Sequence, residues 1–399
     1  MKIAIIGAGP AGIYTTLLLR DFSGEICLFE QNYQIGKKLE RTGGGRMNIA
    51  NKVFSEKQFS SSQPNLLKKL FKNPWIKNRM DIFDELNVEY IWEENRALLK
   101  SQDATMEIER LYENIEDQKN LKINLNSKVF NIEEENNQYL IEFNKDGVIE
   151  KEVFDIIIIA GGGMFRLDDP SSEEEIYQLP IQLGHTITNL SPSLSSLIIK
   201  NNPLGAFSGI SINAELTDLK TKEKMSGDLL ITHGGLSGPL PLDFSSILEG
   251  NTAELNFSPN TQDEEFVRKF NSLRQGKNLL KTFLKNFLPS RLAEWHISEA
   301  GMSEGTIIAD VNKDKLKILR KNLFHFELSG IKKLDYQFSW TTKGGVDLSE
   351  ININTMESKL HKNIYFAGEI LDVNGLCGGY NISFSAISAK ITSEYINKR

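Results

Sequence analysis

The stretch Ile6-Gly7-Ala8-Gly9-Pro10-Ala11-Gly12, set in MKIAIIGAGPAGIYTTLLLR, decides how the rest of the chain is read. Lys2 to Ile6 is a short apolar run of buried-strand type, Ala11 to Arg20 has helical length and propensity, and Glu25 to Glu30 is a second strand. Strand, glycine turn, helix and strand in that order make a βαβ unit that suits a dinucleotide. Gly7 permits the tight turn, Gly9 lets backbone approach a pyrophosphate, and Gly12 lets the helix pack closely on the strand. Ala8, Pro10 and Ala11 complete the same turn. Glu30, with Gln31 beside it, closes the second strand twenty-three positions after Gly7, where a carboxylate can accept hydrogen bonds from an adenosine ribose and would repel a 2′-phosphate.

Composition bounds what surrounds this unit. At 399 residues the chain has room for two or three units sharing an interface. With 40% hydrophobic and 25% charged residues it reads as globular, and its net charge of -7 argues against a nucleic-acid surface. Two cysteines, Cys27 and Cys377, give no disulfide framework. No apolar stretch approaches the length of a membrane span, and the first apolar run stops at Gly7 without the form of a signal peptide, so the expectation is a cytoplasmic protein with no membrane partner.

The loop after Glu30 begins to separate two kinds of dinucleotide. It runs GKKLERTGGGRMN from Gly36 to Asn48, with three consecutive glycines between Arg41 and Arg46. Such backbone can lie flat against a ligand while cations meet its phosphates, and a nicotinamide domain has no use for it at that place. A helix is predicted from a Ser101 cap to Asp117, with Met106, Ile108, Leu111 and Ile115 along one stripe, and strands follow at Leu121–Leu125, Ser127–Glu133, Gln138–Phe143 and Val148–Phe154. The run Asp155–Ile159 then ends in Ala160-Gly161-Gly162-Gly163, a continuously apolar strand that returns to a parallel sheet and brings its glycines to the same ligand.

Residues 191–334 change character: strand-like segments fill 191–260 and helix-prone segments fill 261–334. The expected organisation is a cofactor domain in two parts, 1–190 and 335–399, interrupted by an inserted substrate domain. Near the C-terminus, Asn363–Ile370 is a strand ending in Gly368-Glu369, followed by LDVNGLCGGYN and the helical segment Ile382–Ile396. A carboxylate there can meet a ribityl chain, and the next helix can turn its N-terminal amides toward a flavin ring that gains negative charge on reduction. Two cofactor motifs at opposite ends of one chain point to FAD.

At this point GKKLERTGGGRMNIAN, GDLLITHGGLSGPLPLDFS, TTKGGVDLSEININTMESK and IYFAGEILDVNGLCGGYNISFSAISAK together resemble the BaiN-type FAD-dependent oxidoreductases, a family that includes proteins described as aminoacetone oxidases and as reductases of unsaturated 3-oxo bile acids. The resemblance implies a Rossmann-like FAD domain of α/β class, interrupted by a slit-like β-barrel with a helical bundle. It implies Gly7 to Gly12, Glu30, Lys38, Arg46, Asn48, Val129, Gly161, Glu369, Asp372, Gly379, Tyr380, Asn381 and Ile382 around FAD. Three departures stand out: Met47 where the family has Cys, RALLKS at Arg96–Ser101 without its Pro, and GMFRLDDP at Gly163–Pro170 in place of a tyrosine- and serine-rich loop. The last two are expected to border the substrate.

For chemistry beyond the flavin, His233 in ITHGGLSGP lies between a strand and a helix, where an imidazole can move a proton to or from substrate; the alternative is a histidine that only fixes its loop. Tyr380 is expected to cover one ring face, and no His/Cys set has metal-ligand spacing. Two directions of hydride transfer stay open, an amine oxidase of the aminoacetone type and a reductase of a conjugated ketone with NAD(P)H as transient donor. The absence of a second GxGxxG favours the oxidase, with a small molecule as substrate. A flavin-binding regulatory or RNA-modification protein is the remaining alternative.

Overall fold

The computed structural model describes residues 1–164 and 175–399. Most of the GMFRLDDP loop, from Phe165 onward, lies outside the described residues. The chain divides into two compact units, Met1–Ser191 with Thr341–Arg399, and Pro192–Trp340. No helix among the described residues is long and apolar enough to cross a membrane.

The first unit is built on β1 (Lys2–Ile6), α1 (Pro10–Leu18), β2 (Glu25–Phe29), α2 (Ala104–Glu116), β3 (Leu121–Asn124), β4 (Ile156–Ile159), β5 (Ile364–Phe366) and α3 (Tyr380–Asn397). Its seven-stranded sheet runs Ile351–Asn352, Glu357–Ser358, β5, β4, β1, β2, β3, and the last five are mutually parallel. All four isoleucines of β4 are buried, as a strand covered on both faces requires. The register pairs Ile6 with Phe29 and with Ile159, and Ile159 with Phe366. Four strands therefore end level with one another, and the loops that follow them leave from one edge.

Helices α1 and α3 are buried nearly all round, so their hydroxyl side chains need partners inside the helix. Thr15 and Thr16 donate to the carbonyls of Ala11 and Gly12 at 2.7 and 2.8 Å, and Ser388 and Thr392 donate to Phe384 and Ser388 at 2.8 and 2.9 Å. These four hydroxyls enter the core already satisfied. Helix α2 begins later than the Ser101 reading places it. Asp103 is the cap, accepting from the amides of Thr105 and Met106 at 2.9 and 3.1 Å, because its carboxylate reaches the first free N–H groups. Ile108, Leu111 and Ile115 are buried, whereas Met106 is 53% exposed: at two positions before Ile108 it falls on the outer face.

The second unit holds a seven-stranded sheet in the order Phe326–Ser329, Thr252–Asn256, Ser211–Asp218, Lys224–Ile231, Gly235–Ser237, Leu197–Ile199, Ile331–Lys333, with every neighbouring pair antiparallel. Its two outermost strands are consecutive in the chain, joined only by Gly330 at φ +68. Both edges of the sheet thus meet at one left-handed residue, and the sheet curls on itself like a barrel. The helices Asp263–Ser272, Leu280–Leu284, Ser290–Glu299 and Lys313–Phe324 leave and re-enter between Thr252–Asn256 and Phe326–Ser329, and share one apolar core with the sheet through Leu216, Leu255, Phe266, Phe270 and Leu292.

Candidate functional site

The level edge of the parallel sheet collects the residues that the sequence singles out. The Gly7–Gly12 turn leaves β1, Glu30 leaves β2, Ala160-Gly161-Gly162 leave β4, and Gly368-Glu369 follow β5. Main-chain bonds lock the loops together: the Gly7 amide donates to Phe29 O and the Ala160 amide to Ile6 O, both at 2.8 Å. A Cβ on Gly12 would lie 1.8 Å from Gly7 O, so helix and strand approach as closely as glycine allows. A Cβ on Gly368 would lie 2.6 Å from the Ala11 side chain, which sets the C-terminal motif directly against α1.

Gly9 behaves differently. A Cβ there would meet nothing within 4 Å, and Gly9 is also the N-cap of α1 with no side-chain cap on the helix. Open space in front of uncapped amides, with Pro10 in the first turn, is what a pyrophosphate would occupy. Glu30 is buried beside it. Its Oε2 accepts from the Ala8 amide at 2.8 Å, and its Oε1 from the Asn32 amide at 2.9 Å and the Asn32 side chain at 2.6 Å. A carboxylate oriented by these donors has lone pairs left for ribose hydroxyls. Gln31 is exposed at the rim.

Across the edge, Lys38 Nζ donates to Glu369 Oε2 at 2.5 Å, and Glu369 Oε1 accepts from the Thr342 amide at 2.9 Å. Thr342 in turn accepts from the Met164 amide at 2.8 Å through its hydroxyl, and a Cβ on Gly163 would sit 2.6 Å from Glu369 Oε1. Thr342 is a residue that spacing alone does not single out; its signal is the TTKGG motif that contains it. Val129 is buried in the strand Ser127–Glu135, whose start is tied to the site by the Ser127 amide donating to Glu30 O at 2.8 Å. Asn48 opens the strand Asn48–Asn51, where a Cβ on Gly379 would lie 2.6 Å from both Asn48 Oδ1 and the Ala50 amide. The start of α3 is pressed onto this strand for lack of a side chain at Gly379.

Several expected contacts are spent inside the protein. Arg46 pairs with Glu93. Asp372 is buried and accepts from the Ser62 amide at 2.7 Å and the Ser61 hydroxyl at 3.3 Å. Asn381 is locked reciprocally to Gly375, accepting from its amide at 2.8 Å and donating to its carbonyl at 2.9 Å. The Tyr380 ring packs against Phe54 and Phe59 with centroids at 5.8 and 5.7 Å, so its hydrophobic face goes to that cluster. Ile382 is buried in the first turn of α3, which begins at Gly379 without a side-chain cap. What remains available there are the backbone amides of that turn.

His233 belongs to the second unit, in the loop between Lys224–Ile231 and Gly235–Ser237. Its carbonyl accepts from Asn202 Nδ2 at 3.2 Å, while its exposed imidazole has no partner among the described residues. Backbone, not the ring, fixes the loop.

Two other clusters invite chemistry and decline it. Glu25, Cys27 and Glu152 lie close enough to share a cation, but Lys2 Nζ already sits 3.1 Å from Glu25 and 2.6 Å from Glu152, and burial pushes the Cys27 thiol up to about 12. His185 lies between Glu350 at 3.0 Å and Ser358 Oγ at 2.9 Å, in the order of a hydrolase triad. Ser358 Oγ is buried, however, and accepts from the amides of Leu360 and His361, both at 3.0 Å, so it is a strut and not a nucleophile.

The family model described as HI0933-like protein Rossmann domain matches residues 1–395, and the chain belongs to that family. It is an FAD-dependent oxidoreductase by that membership and its relatives. Over 390 residues it is 30% identical to a protein of Haemophilus influenzae named ribosomal RNA dihydrouridine synthase, covering 96% of each chain, and 26% identical to the Escherichia coli K12 protein of the same name, covering 96% and 95%. It is 23% identical, over 96% of each chain, to a 3-dehydro-bile acid delta(4,6)-reductase of Clostridium scindens. Among solved structures, a 3-ketosteroid-delta4-(5alpha)-dehydrogenase from Rhodococcus jostii RHA1 shares the fold with a TM-score of 0.52 at 10% identity, covering 100% of this chain and 96% of that one.

Proposed function

We propose that this protein uses FAD to reduce a ring carbon–carbon double bond conjugated to a carbonyl, and that its substrate is a uracil base in ribosomal RNA. The observation that carries the FAD part is the gathering of Gly7–Gly12, Glu30, Gly161-Gly162 and Gly368-Glu369 on one sheet edge in front of uncapped amides. When bound, FAD supplies the hydride. The α1 amides would hold its pyrophosphate, Glu30 its ribose, Lys38 and Glu369 its ribityl side, and the first amides of α3 the electron-rich end of the ring. Arg46, Asn48, Val129 and Asp372 shape the walls that hold these groups. NAD(P)H is the transient donor that returns electrons after each turnover.

The double-bond reading takes support from the relatives. Dihydrouridine is uridine saturated at a bond conjugated to a ring carbonyl, and a delta(4,6)-reductase acts on a bond placed alike toward a 3-keto group; no such support reaches the amine oxidase. The RNA reading follows the two relatives of higher identity. Hydride delivery to one carbon leaves the other to take a proton, and His233, with its unpartnered imidazole, is the proposed carrier.

The test is incubation of the holoenzyme with NADPH and ribosomal RNA from a strain lacking the gene, followed by digestion to nucleosides and mass measurement. Dihydrouridine should appear, and His233→Ala should slow its formation by roughly 10²-fold at unchanged FAD content. Absence of dihydrouridine together with saturation of a 3-oxo steroid under the same conditions would transfer the reading to a small ketone.

A further inference from the structure

The charge of the molecule is unevenly divided. Residues 192–340 hold 18 Lys and Arg against 17 Asp and Glu, so the whole of the chain's net negative charge belongs to the other unit. Within this near-neutral unit, the helix Lys313–Phe324 turns Leu319, Leu323 and Phe324 into the core and leaves Lys313, Lys317 and Lys321 exposed at steps of four. Residues at that spacing stand one above another on a single helix face, about 6 Å apart along the axis. None of the three ammonium groups has a partner among the described residues. Five other cations in the unit are held in ion pairs: Lys220 with Glu249, Lys224 with Glu215, Lys269 with Glu265, Lys281 with Glu294 and Glu304, and Arg320 with Asp263.

Like charges at i and i+4 work against a helix, and two such steps in a row are an arrangement that helix stability alone does not favour. Asp314 lies in the first turn, where its charge suits the helix N-terminus, and three positions before Lys317, with which it forms no ion pair within 4 Å. Lys321 stands near the C-terminal end, where its charge suits the helix dipole, but Lys313 stands at the opposite end, where it does not.

Resting on the RNA reading above, we infer that the row Lys313, Lys317 and Lys321 is a docking surface for the phosphate backbone of RNA. A straight ladder of unpaired ammonium groups is complementary to a polyanion with regularly spaced charges, and it carries no base-reading function, which suits positioning of a structured RNA while another part of the protein selects the base. A lipid surface fits less well, since the apolar side of this helix is buried in the unit's own core and leaves only Ile318, at 41% exposure, beside the row.

The test uses the FAD-loaded protein, wild type and with Lys313→Gln, Lys317→Gln and Lys321→Gln combined, and follows binding to purified ribosomal RNA between 50 and 200 mM salt. All three side chains are exposed, so equal melting curves and equal FAD content are the control. Loss of three phosphate contacts lowers the salt slope by about 2.1 to 2.7, so across that range wild type should lose about 20- to 40-fold more affinity than the variant. Equal slopes would overturn the assignment, as would a difference that appears only on phosphatidylglycerol vesicles. If wild type binds RNA through these lysines yet forms no dihydrouridine, the surface stands and the substrate reading falls. If dihydrouridine forms and the variant binds like wild type, the surface alone falls.

Discussion

Two sheets of seven strands each stand in this molecule, and they put their backbone to opposite uses. The parallel core of the first unit ends four strands at one level and sends from that edge loops rich in glycine, the first of which opens α1 with no side-chain cap on its amides. The antiparallel sheet of the second unit meets itself at Gly330 and spends its interior on aliphatic and aromatic packing. Parallel strands must be joined by crossovers, so their ends are free to gather ligand-binding loops. Antiparallel strands are joined by turns that consume those ends, and what they offer a partner is their outer surface. On the reading proposed above, the cofactor belongs to the loops of the parallel sheet, while proton transfer falls to His233 in a loop of the second unit and docking to the lysine row on its helix Lys313–Phe324.

The contrast can be broken most severely at Gly12. Its Cβ would enter Gly7 O, a backbone atom that cannot step aside, so Gly12→Ala should destabilise the first unit by about 3 kcal/mol or more and abolish FAD binding. Thermal unfolding and flavin content check both. A normally folded, yellow Gly12→Ala protein would mean that the close helix–strand approach is not required.

The second unit has its own weak point in acid. His296 is buried between Phe257 and Trp295 with no partner for either ring nitrogen among the described residues, and burial pulls its pKa down to about 3. The folded state thus refuses a proton that the unfolded chain accepts below about pH 6.5. This stabilising preference for the neutral ring is fully present above pH 6.5 and is lost as pH falls toward 3, by about 2 to 3 kcal/mol at pH 4.5. His296→Leu should flatten the fall in melting temperature between pH 7 and 4.5; an unchanged slope would show that other groups dominate. His185 in the first unit, lowered chiefly by burial and in part protected by Glu350, adds a loss of the same sign below its unfolded pKa.

A smaller effect is expected at the cap of α2, where Asp103→Ala should cost about 1 kcal/mol in denaturant unfolding, whereas Ser101→Ala should cost almost nothing.

These residues also show what a sequence can and cannot reveal. The Gly7–Gly12 turn, Glu30 and the Ile156–Ile159 strand were legible because their signals are local: glycine spacing, an acid at a strand end, an unbroken apolar run. Lys38 and Glu369 are 331 positions apart, and no periodicity announces that they pair. The strands Phe326–Ser329 and Ile331–Lys333 that complete the second sheet are too short to carry a pattern and are defined by partners far along the chain. The three-stranded antiparallel sheet between Asn48 and Leu99 is likewise built of strands too short to carry a local pattern. Arg46, Asp372 and Asn381 have the right chemistry for a ligand, but their neighbours Glu93, Ser62 and Gly375 compete for it, and competition is a property of three-dimensional packing.

The claim that one edge of the parallel sheet is a dinucleotide cradle is tested most directly at Gly9. Its φ of -77 suits any residue and its Cβ would meet nothing in the protein, so Gly9→Ala should leave the melting temperature of the FAD-free protein unchanged. The added methyl group would stand where the pyrophosphate must approach, and FAD affinity, measured by titration of the stripped protein, should fall by at least tenfold, about 1.4 kcal/mol. Unchanged FAD affinity in a normally folded Gly9→Ala protein would contradict the account, because the open space in front of α1 would then hold no phosphate.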